Sequence, residues 1–203
     1  AHCSLREAIN RANSEVGADT ISFDIPGSSA HTITLSNVLP TITEAVTIDG
    51  ATQPGWAEGA PIIELSGSSL SGLGNHGFFI KAGPTTVRGL VINGFSGAGI
   101  YVCGDTGNCS ALAPGLADGN VIEGNFVGTD VAGTSAVPNG IGVLLFGSSD
   151  NRVGGTTTAQ RNVISGSSIE DGYAIGVFPG TDAADNNVIQ GNYIGLNAAG
   201  TAV

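Results

Sequence analysis

Two charged residues occupy matching places in repeated segments and are the best candidates for an acid and base pair. Arg88 lies in TTVRGLVING, and Glu123 lies in the similar NVIEGNFVG. If such segments stack, one outward column reads Arg88, Glu123, Gly154 and Gln190, and the first two become neighbours. A polysaccharide lyase uses such groups to neutralise a uronate and abstract a proton, and a glycoside hydrolase needs two carboxylates. We favour the simpler interpretation, a solvated ion pair between strands worth roughly 0.2–1 kcal/mol.

Aromatic residues form a second candidate site, of the kind that binds sugars. Aligning FFIK, IYVC, IGVL and IGVF predicts an outward column of Phe79, Tyr101, Gly142 and Gly176, beside a second column of Lys81, Cys103, Leu144 and Phe178. Two stacked rings beside a lysine could form a platform for a sugar ring, with Trp56 on its long loop as a lid. The alternative is that the insertion at 103–119 folds over these rings and buries them as a satellite core.

The cysteines and histidines predict one disulfide and no metal site. Cys103 and Cys109 bracket the loop CGDTGNC and are close enough to close a small disulfide ring, with two free thiols as the alternative. Cys3 is then left over, and any partner would lie upstream. The three histidines are far apart in the sequence and lack metal-ligand spacing, so we expect no cofactor. The 17 acidic residues leave calcium bound by loop carboxylates open.

Composition and charge exclude several classes of partner. The net charge of -11 argues against nucleic acid and anionic membranes, because both would repel the chain and no Lys/Arg cluster compensates. No apolar run approaches the roughly 20 residues that cross a bilayer, so membrane insertion is not expected. The 33 glycines and 11% charged residues, against about 25% in ordinary domains, indicate short strands joined by tight turns.

Internal repeats predict the fold. NVIEGNFVG recurs 67 residues later as NVIQGNYIG, and TTVRGLVING and NRVGG with NVISG follow the same plan of two short strands meeting at a glycine. A third strand type, such as GIYVCG and GIGVLLFG, alternates with this pair. Equivalent strands must then stack in parallel about 4.8 Å apart. We therefore predict an all-β parallel solenoid with three short strands per coil.

Asparagines recur at two positions of each coil, and the pattern predicts ladders at two corners. The first corner holds Asn120, Asn151 and Asn187, and the second holds Asn125, Asn162 and Asn192. Asn tolerates the left-handed backbone of a sharp corner, and its amide can bond the amides above and below. This structural role is favoured over a polar binding row.

The amino-terminal segment predicts a helix instead of a strand. In CSLREAINRAN, apolar residues recur at helical spacing over residues 5–12, and Ser4 with Glu7 forms an S-x-x-E capping box. Such a helix would cap the open end of the solenoid, with dimerisation as the alternative. We therefore divide the chain into a capping segment, residues 1–19, and a solenoid, residues 20–203.

Several of these segments together resemble a known family. CSLREAINRAN, ADTISFDIPG, HTITL, LPTITEAVTIDGATQPG and the N-V-I-x-G-N phrases are similar to CSLREA-domain proteins, which are large secreted or surface-anchored bacterial proteins. The resemblance spans nearly the whole chain, and its amino-terminal motif is the most specific part. It implies a right-handed parallel β-helix of the pectate-lyase-like superfold, an extracellular or cell-surface location and a longer parent chain. It implies no shared catalytic residues.

We therefore expect a non-catalytic extracellular module that acts as a rigid structural or adhesive stalk and can stack end to end between copies. The alternatives are a carbohydrate-active enzyme, either a polysaccharide lyase or a glycoside hydrolase, and a carbohydrate-binding domain on the same fold. An extracellular polysaccharide would be the partner in either alternative. Three acids with an arginine in one open groove would favour an enzyme, and a smooth Gly-, Ser- and Thr-rich exterior would favour a stalk.

Overall fold

The structure is a computed structural model that describes residues 3–109, 113, 115–168 and 172–202. Within these residues it contains one α-helix, α1 (Leu5–Ala12), two 3-10 helices (Gly50–Thr52 and Thr158–Gln160) and 16 short strands. All the strands pair in parallel, in three sheets. No helix in this part of the chain is long and apolar enough to cross a membrane.

The strands are numbered in chain order and are divided among the sheets as follows. The first sheet holds β1 (Asp19–Ser22), β3 (Val46–Asp49), β6 (Thr86–Arg88), β9 (Val121–Glu123), β12 (Arg152–Gly154) and β15 (Val188–Gln190). The second sheet holds β2 (His31–Thr34), β4 (Ile63–Ser66), β7 (Leu90–Asn93), β10 (Phe126–Val127), β13 (Val163–Ile164) and β16 (Tyr193–Ile194). The third sheet holds β5 (Phe78–Ile80), β8 (Ala98–Cys103), β11 (Ile141–Phe146) and β14 (Ile175–Phe178).

The chain visits the three sheets in a fixed order and returns each time one strand further along. From β3 onward the order is first, second and third sheet, and we call one such passage a circuit. In the earliest circuit, which contains β1 and β2, Ile42 forms a parallel bridge to Ile80 in the place of a third-sheet strand. The described residues therefore form five circuits and the first two strands of a sixth.

Inward-facing side chains form continuous apolar columns along the stack. In the first sheet, the strand registers align Ile48, Val87, Ile122 and Val153, and each is at most 1% exposed. These short β-branched residues suit strands that are buried on one face. Because each circuit adds one residue to each column, burial is continuous along the core.

The repeated asparagines form two hydrogen-bonded columns at the corners. The Asn120 and Asn151 amides bond Oδ1 of the asparagine one circuit later, at 2.8 Å in both cases. At the second corner, Asn125 bonds Asn162 at 3.2 Å and Asn162 bonds Asn192 at 2.9 Å. Backbone N–H groups donate to the same Oδ1 atoms, so each side chain ties one circuit to the next.

The left-handed backbone at these corners belongs to a different residue from the one that we expected. It lies one residue before the asparagine at Asp150 (φ 59°), Asn186 (φ 55°) and Gly124 (φ 64°), whereas Arg161, which precedes Asn162, has a φ of -65°. Where it is left-handed, the preceding residue makes the turn, which leaves the ladder asparagine free to begin the next strand. The asparagines therefore contribute hydrogen bonds and not left-handed geometry.

Helix α1 lies against the first circuit. Ser4 and Glu7 form a reciprocal capping box at its amino end. Leu5, Ile9 and Ala12 are buried in the core. The Asn13 side chain donates to the Thr41 carbonyl (2.7 Å) and accepts from the Thr43 amide (2.9 Å), which fixes the carboxyl end of the helix.

Candidate functional site

The outward column of the first sheet carries alternating charges. The strand register aligns Asp49, Arg88 and Glu123 on neighbouring strands, which places Arg88 beside Glu123 as the repeats predict. The close ion pairs nevertheless join other partners. Arg88 Nη2 lies 2.5 Å from Asp49 Oδ2, and Arg152 Nη2 lies 2.7 Å from Glu123 Oε2. In place of the expected Arg88–Glu123 ion pair, the structure has the two ion pairs Arg88–Asp49 and Arg152–Glu123.

The two ion pairs engage the charged side chains that were the candidates for catalysis, Arg88 and Glu123. The hydrogen bond to Asp49 raises the pKa of Arg88; partial burial opposes this, and the charges of Asp49 and Glu123 add to it. The Asp49 side chain is 6% exposed and also accepts the Ala51 amide through Oδ1 at 3.0 Å. Each carboxylate in the column thus binds a guanidinium, an arrangement that holds neighbouring strands together.

A cleft adjoins this charge column at the corner between the first and second sheets. It has a volume of about 280 Å³, and its lining includes Trp56, Arg88, Glu123 and Gln160. One wall comes from the loop that begins with the 3-10 helix Gly50–Thr52, and the other from the loop that contains Thr158–Gln160. We call this space the Trp56 cleft.

Trp56 is not where the sequence interpretation placed it. We expected it to cover Phe79 and Tyr101, but it lies in the cleft beside the first sheet, where a methyl group on Gly89 would be 3.2 Å from the indole nitrogen. Its loop leaves the corner between the first and second sheets, whereas Phe79 and Tyr101 belong to the third sheet. The indole N–H is buried and has no hydrogen-bond partner among the described residues.

The aromatic residues of the third sheet pack against one another. The Phe79 and Tyr101 ring centroids are 5.0 Å apart in a stacked arrangement, and His76 meets the Tyr101 ring edge-on at 4.9 Å. Lys81 Nζ lies 5.0 Å from the Phe79 centroid and donates to the Cys109 carbonyl. Burial lowers the pKa of His76 and raises that of Tyr101. The rings are half-buried, so much of their surface is used within the protein.

One strand of this sheet, β11, is shifted by two residues from the predicted alignment. Tyr101 pairs with Leu144, which pairs in turn with Gly176, so Leu144 takes the place given to Gly142. Similarly, Cys103 pairs with Phe146. β8 and β11 both have six residues, and Ile141 pairs with Ala98 at their beginning. The aromatic column therefore continues into an aliphatic residue before it reaches a glycine.

A disulfide and a buried carboxylate organise the loop after β8. Cys103 and Cys109 form a disulfide with a Cα–Cα distance of 6.2 Å, and Cys109 Sγ lies 3.3 Å from the Tyr101 hydroxyl. Asp105 is fully buried and accepts the Thr181 hydroxyl at 2.9 Å, as well as the Thr181 and Asp182 amides. Burial alone would raise the pKa of Asp105, but these bonds and that from the Asn108 amide lower it below its ordinary value.

Sequence reasoning missed two residues that fix the corners and loops. Asp105 links loops 76 residues apart, and neither segment is part of the repeated phrase. Asn139 forms a bridge at a third corner, where its Oδ1 accepts the Phe95 amide at 3.0 Å and its Nδ2 donates to the Ile92 carbonyl at 2.9 Å. A signal for Asn139 was available, because it precedes a third-type strand in PNGIGV as other asparagines precede theirs.

No metal centre was found among the described residues, where no group of three or more His, Cys, Asp or Glu side chains is placed to hold an ion. Asp130, one of the acidic loop residues, accepts the Thr134 and Ser135 amides at 2.8 and 3.1 Å and so stabilises its own turn. Calcium binding through loop carboxylates gains no support from this arrangement.

Comparison with other proteins gives no independent assignment. No protein-family model, curated protein or solved structure matches the chain. Function must therefore be inferred from the residues and their geometry.

Proposed function

We propose that this chain is a rigid, non-catalytic module of an extracellular protein, built as a right-handed parallel β-helix and related to CSLREA-domain proteins. The observation that carries the proposal is the pair of asparagine columns. They join successive circuits by side-chain hydrogen bonds of 2.8 to 3.2 Å, beside an apolar core that continues through the first five circuits. Such cross-linking resists bending and local opening, as a spacer or stalk requires.

The charge column supports a structural role over an enzymatic one. Asp49 and Glu123 each bind an arginine of the next strand in the sheet. The arginine that a lyase would direct at a uronate is likewise held by Asp49. These contacts match a cross-strand ladder.

An extracellular location is part of the proposal. A disulfide between Cys103 and Cys109 supports it, because structural disulfides persist mainly in oxidising compartments. We expect non-reducing peptide mapping of the protein recovered from its native source to show this bond intact. Two free thiols at these positions would contradict this part of the proposal.

End-to-end association is the remaining part. Ile189 and Ile194 in the sixth circuit are 42% and 48% exposed, although they continue columns that are buried elsewhere. In the 203-residue chain, helix α1 covers the other end, so we propose contact between two sixth-circuit faces in preference to a head-to-tail filament. Sedimentation should then show a concentration-dependent dimer that Ile194→Lys abolishes, and a monomer at all concentrations would contradict this.

The catalytic alternative is tested by a screen of acidic and neutral polysaccharides, with and without calcium, that measures new reducing ends and new double bonds. We expect no depolymerisation. Cleavage that disappears in Arg88→Ala, with an unchanged unfolding midpoint, would overturn the proposal. Arg11→Ala is the matched control, because Arg11 is an exposed helix residue remote from the charge column.

A further inference from the structure

The Trp56 cleft is built by two loops that come from circuits far apart in the sequence. The Trp56 loop leaves the second circuit after β3, and the opposite loop leaves the fifth circuit after β12. Their tips are joined by a hydrogen bond from the Thr158 hydroxyl to Glu58. The third and fourth circuits, which lie between them, turn this corner without an inserted loop. The result is a recess over the third and fourth circuits, with one loop on each side.

The floor of the cleft consists of glycines that cannot be replaced by larger residues. Gly89 and Gly124 have φ values of +69° and +64°, which disfavour any side chain. A methyl group on Gly89 would lie 2.8 Å from the Ala51 nitrogen, and one on Gly124 would lie 2.7 Å from the Ala159 oxygen. These short distances show that both loops pack directly against the floor, which fixes the positions of the two walls.

The lining combines one aromatic wall with polar groups. Trp56 supplies the indole, and Arg88, Glu123 and Gln160 supply the polar groups. Arg88 binds Asp49 through Nη2 and Glu123 binds Arg152 through Oε2. Among the described residues, the other guanidinium nitrogens of Arg88, Glu123 Oε1 and Gln160 Nε2 make no hydrogen bond within the protein. Donors and an acceptor therefore remain for a ligand.

The charges around the cleft do not favour an anionic ligand. At the lining, Asp49 and Glu123 are matched by Arg88 and Arg152. Glu58 at the loop tips adds a negative charge that forms no ion pair among the described residues. A uronate would also meet the net charge of -11 of the whole chain. Electrostatics therefore favours a ligand that is neutral and rich in hydrogen-bonding groups.

We propose that the Trp56 cleft binds one ring of a neutral oligosaccharide. The volume of 280 Å³ is slightly below the range of about 300–1,000 Å³ for drug-sized ligands, which suits a single ring. A neutral pyranose has an apolar C–H face for the indole and a rim of hydroxyls that both donate and accept. The site goes beyond the structural role above, because a rigid spacer needs no such recess.

Trp56 is the only tryptophan, so its fluorescence reports directly on the cleft. The probes are three neutral trisaccharides, cellotriose, mannotriose and xylotriose, with trigalacturonate as the charged counterpart. We expect at least one neutral probe to shift the emission saturably and to give a matching calorimetric isotherm, and trigalacturonate to give neither. If no neutral probe binds, or if only trigalacturonate binds, the proposal is wrong.

Three variants localise the binding. Trp56→Ala removes the wall and Ala159→Phe fills the cleft from the exposed side; each should weaken calorimetric binding roughly tenfold or more. Tyr173→Ala is the control, because Tyr173 is 48% exposed and packs on Phe178 in the third sheet. Thermal unfolding verifies that each variant is folded. Binding that survives both cleft variants, or that is lost in Tyr173→Ala, would overturn the assignment.

Discussion

The side chains of one core column in the first sheet are buried to different degrees at the two ends of the stack. At the amino end, Ile21 is 8% exposed because helix α1 packs beside β1, whereas at the other end Ile189, in the same column, is 42% exposed. Every residue of the column between these two is 0% or 1% exposed. The comparison shows that a residue of this repeat is buried by the structure on both sides of its circuit.

The largest expected effect comes from core truncation at the capped end. Ile9→Ala should lower the free energy of unfolding by about 3 kcal/mol, because Ile9 is 1% exposed and its loss leaves a cavity under the helix. Ile189→Ala, the matched change at the open end, should cost less than about 1 kcal/mol. Urea-induced unfolding followed by circular dichroism measures both. Equal losses of unfolding free energy in the two variants would contradict the difference in burial between the two ends of the stack.

The second prediction compares the interior of an asparagine column with its end. Asn162→Ala should cost about 2–3 kcal/mol, because it leaves the Asn125 amide and the Ile122 carbonyl unpaired in the core. Asn192→Ala should cost about 1 kcal/mol, since water reaches the last circuit. The same urea titration applies. A larger loss for Asn192 than for Asn162 would contradict the ladder as an interior framework.

The third prediction concerns how α1 is held on the first circuit. Asn13→Ala should cost about 1–2 kcal/mol, because it removes the bonds to Thr41 and Thr43. Asn10→Ala is the control: Asn10 is exposed on the same helix, and its loss should change stability by less than about 0.5 kcal/mol. Proteolysis of α1, followed by mass spectrometry, should accelerate only for Asn13→Ala. Equal rates would disprove the docking role.

The smallest effect is expected at the helix cap. Ser4→Ala should cost about 1 kcal/mol at neutral pH, through loss of the reciprocal capping box. Hydrogen bonds from the Ser4 amide and hydroxyl lower the pKa of Glu7 below 4.5. A lowered carboxyl pKa stabilises the folded state above the unfolded value and loses this contribution as pH falls through the folded pKa. The deficit of Ser4→Ala should therefore shrink below pH 4.5, and a constant deficit in acid unfolding curves would contradict this.

The periodic part of the molecule could be predicted from the sequence. The phrase N-V-I-x-G-N carries the strand, the glycine corner and the ladder side chain together, so its register is determined wherever it recurs. The capping box was equally readable, because Ser4 and Glu7 make contact within a single helical turn. Both features depend on neighbours that are close in sequence or fixed by the repeat.

The candidate site was only partly predictable, because it depends on contacts outside the repeat. Asp49 lies in AVTIDG, which has the strand pattern but not the asparagine phrase, so it was not identified as the partner of Arg88. Trp56 lies on a long inserted loop, and the periodicity of the strands does not determine which sheet such a loop packs against. The hydrogen bond between Asp105 and Thr181 joins two inserted loops, and these loops come into contact only once the circuits that carry them are stacked.

The account depends most on the asparagine columns as the framework that joins the circuits, and amide hydrogen exchange tests this directly. The backbone amides of Leu90, Asn125 and Asn162 each donate to the Oδ1 of an asparagine one circuit later, whereas the Asn192 amide has no acceptor among the described residues. In the 203-residue chain, we predict that the first three exchange more slowly than Asn192 by roughly a hundredfold or more. Equal exchange at all four amides would contradict the account.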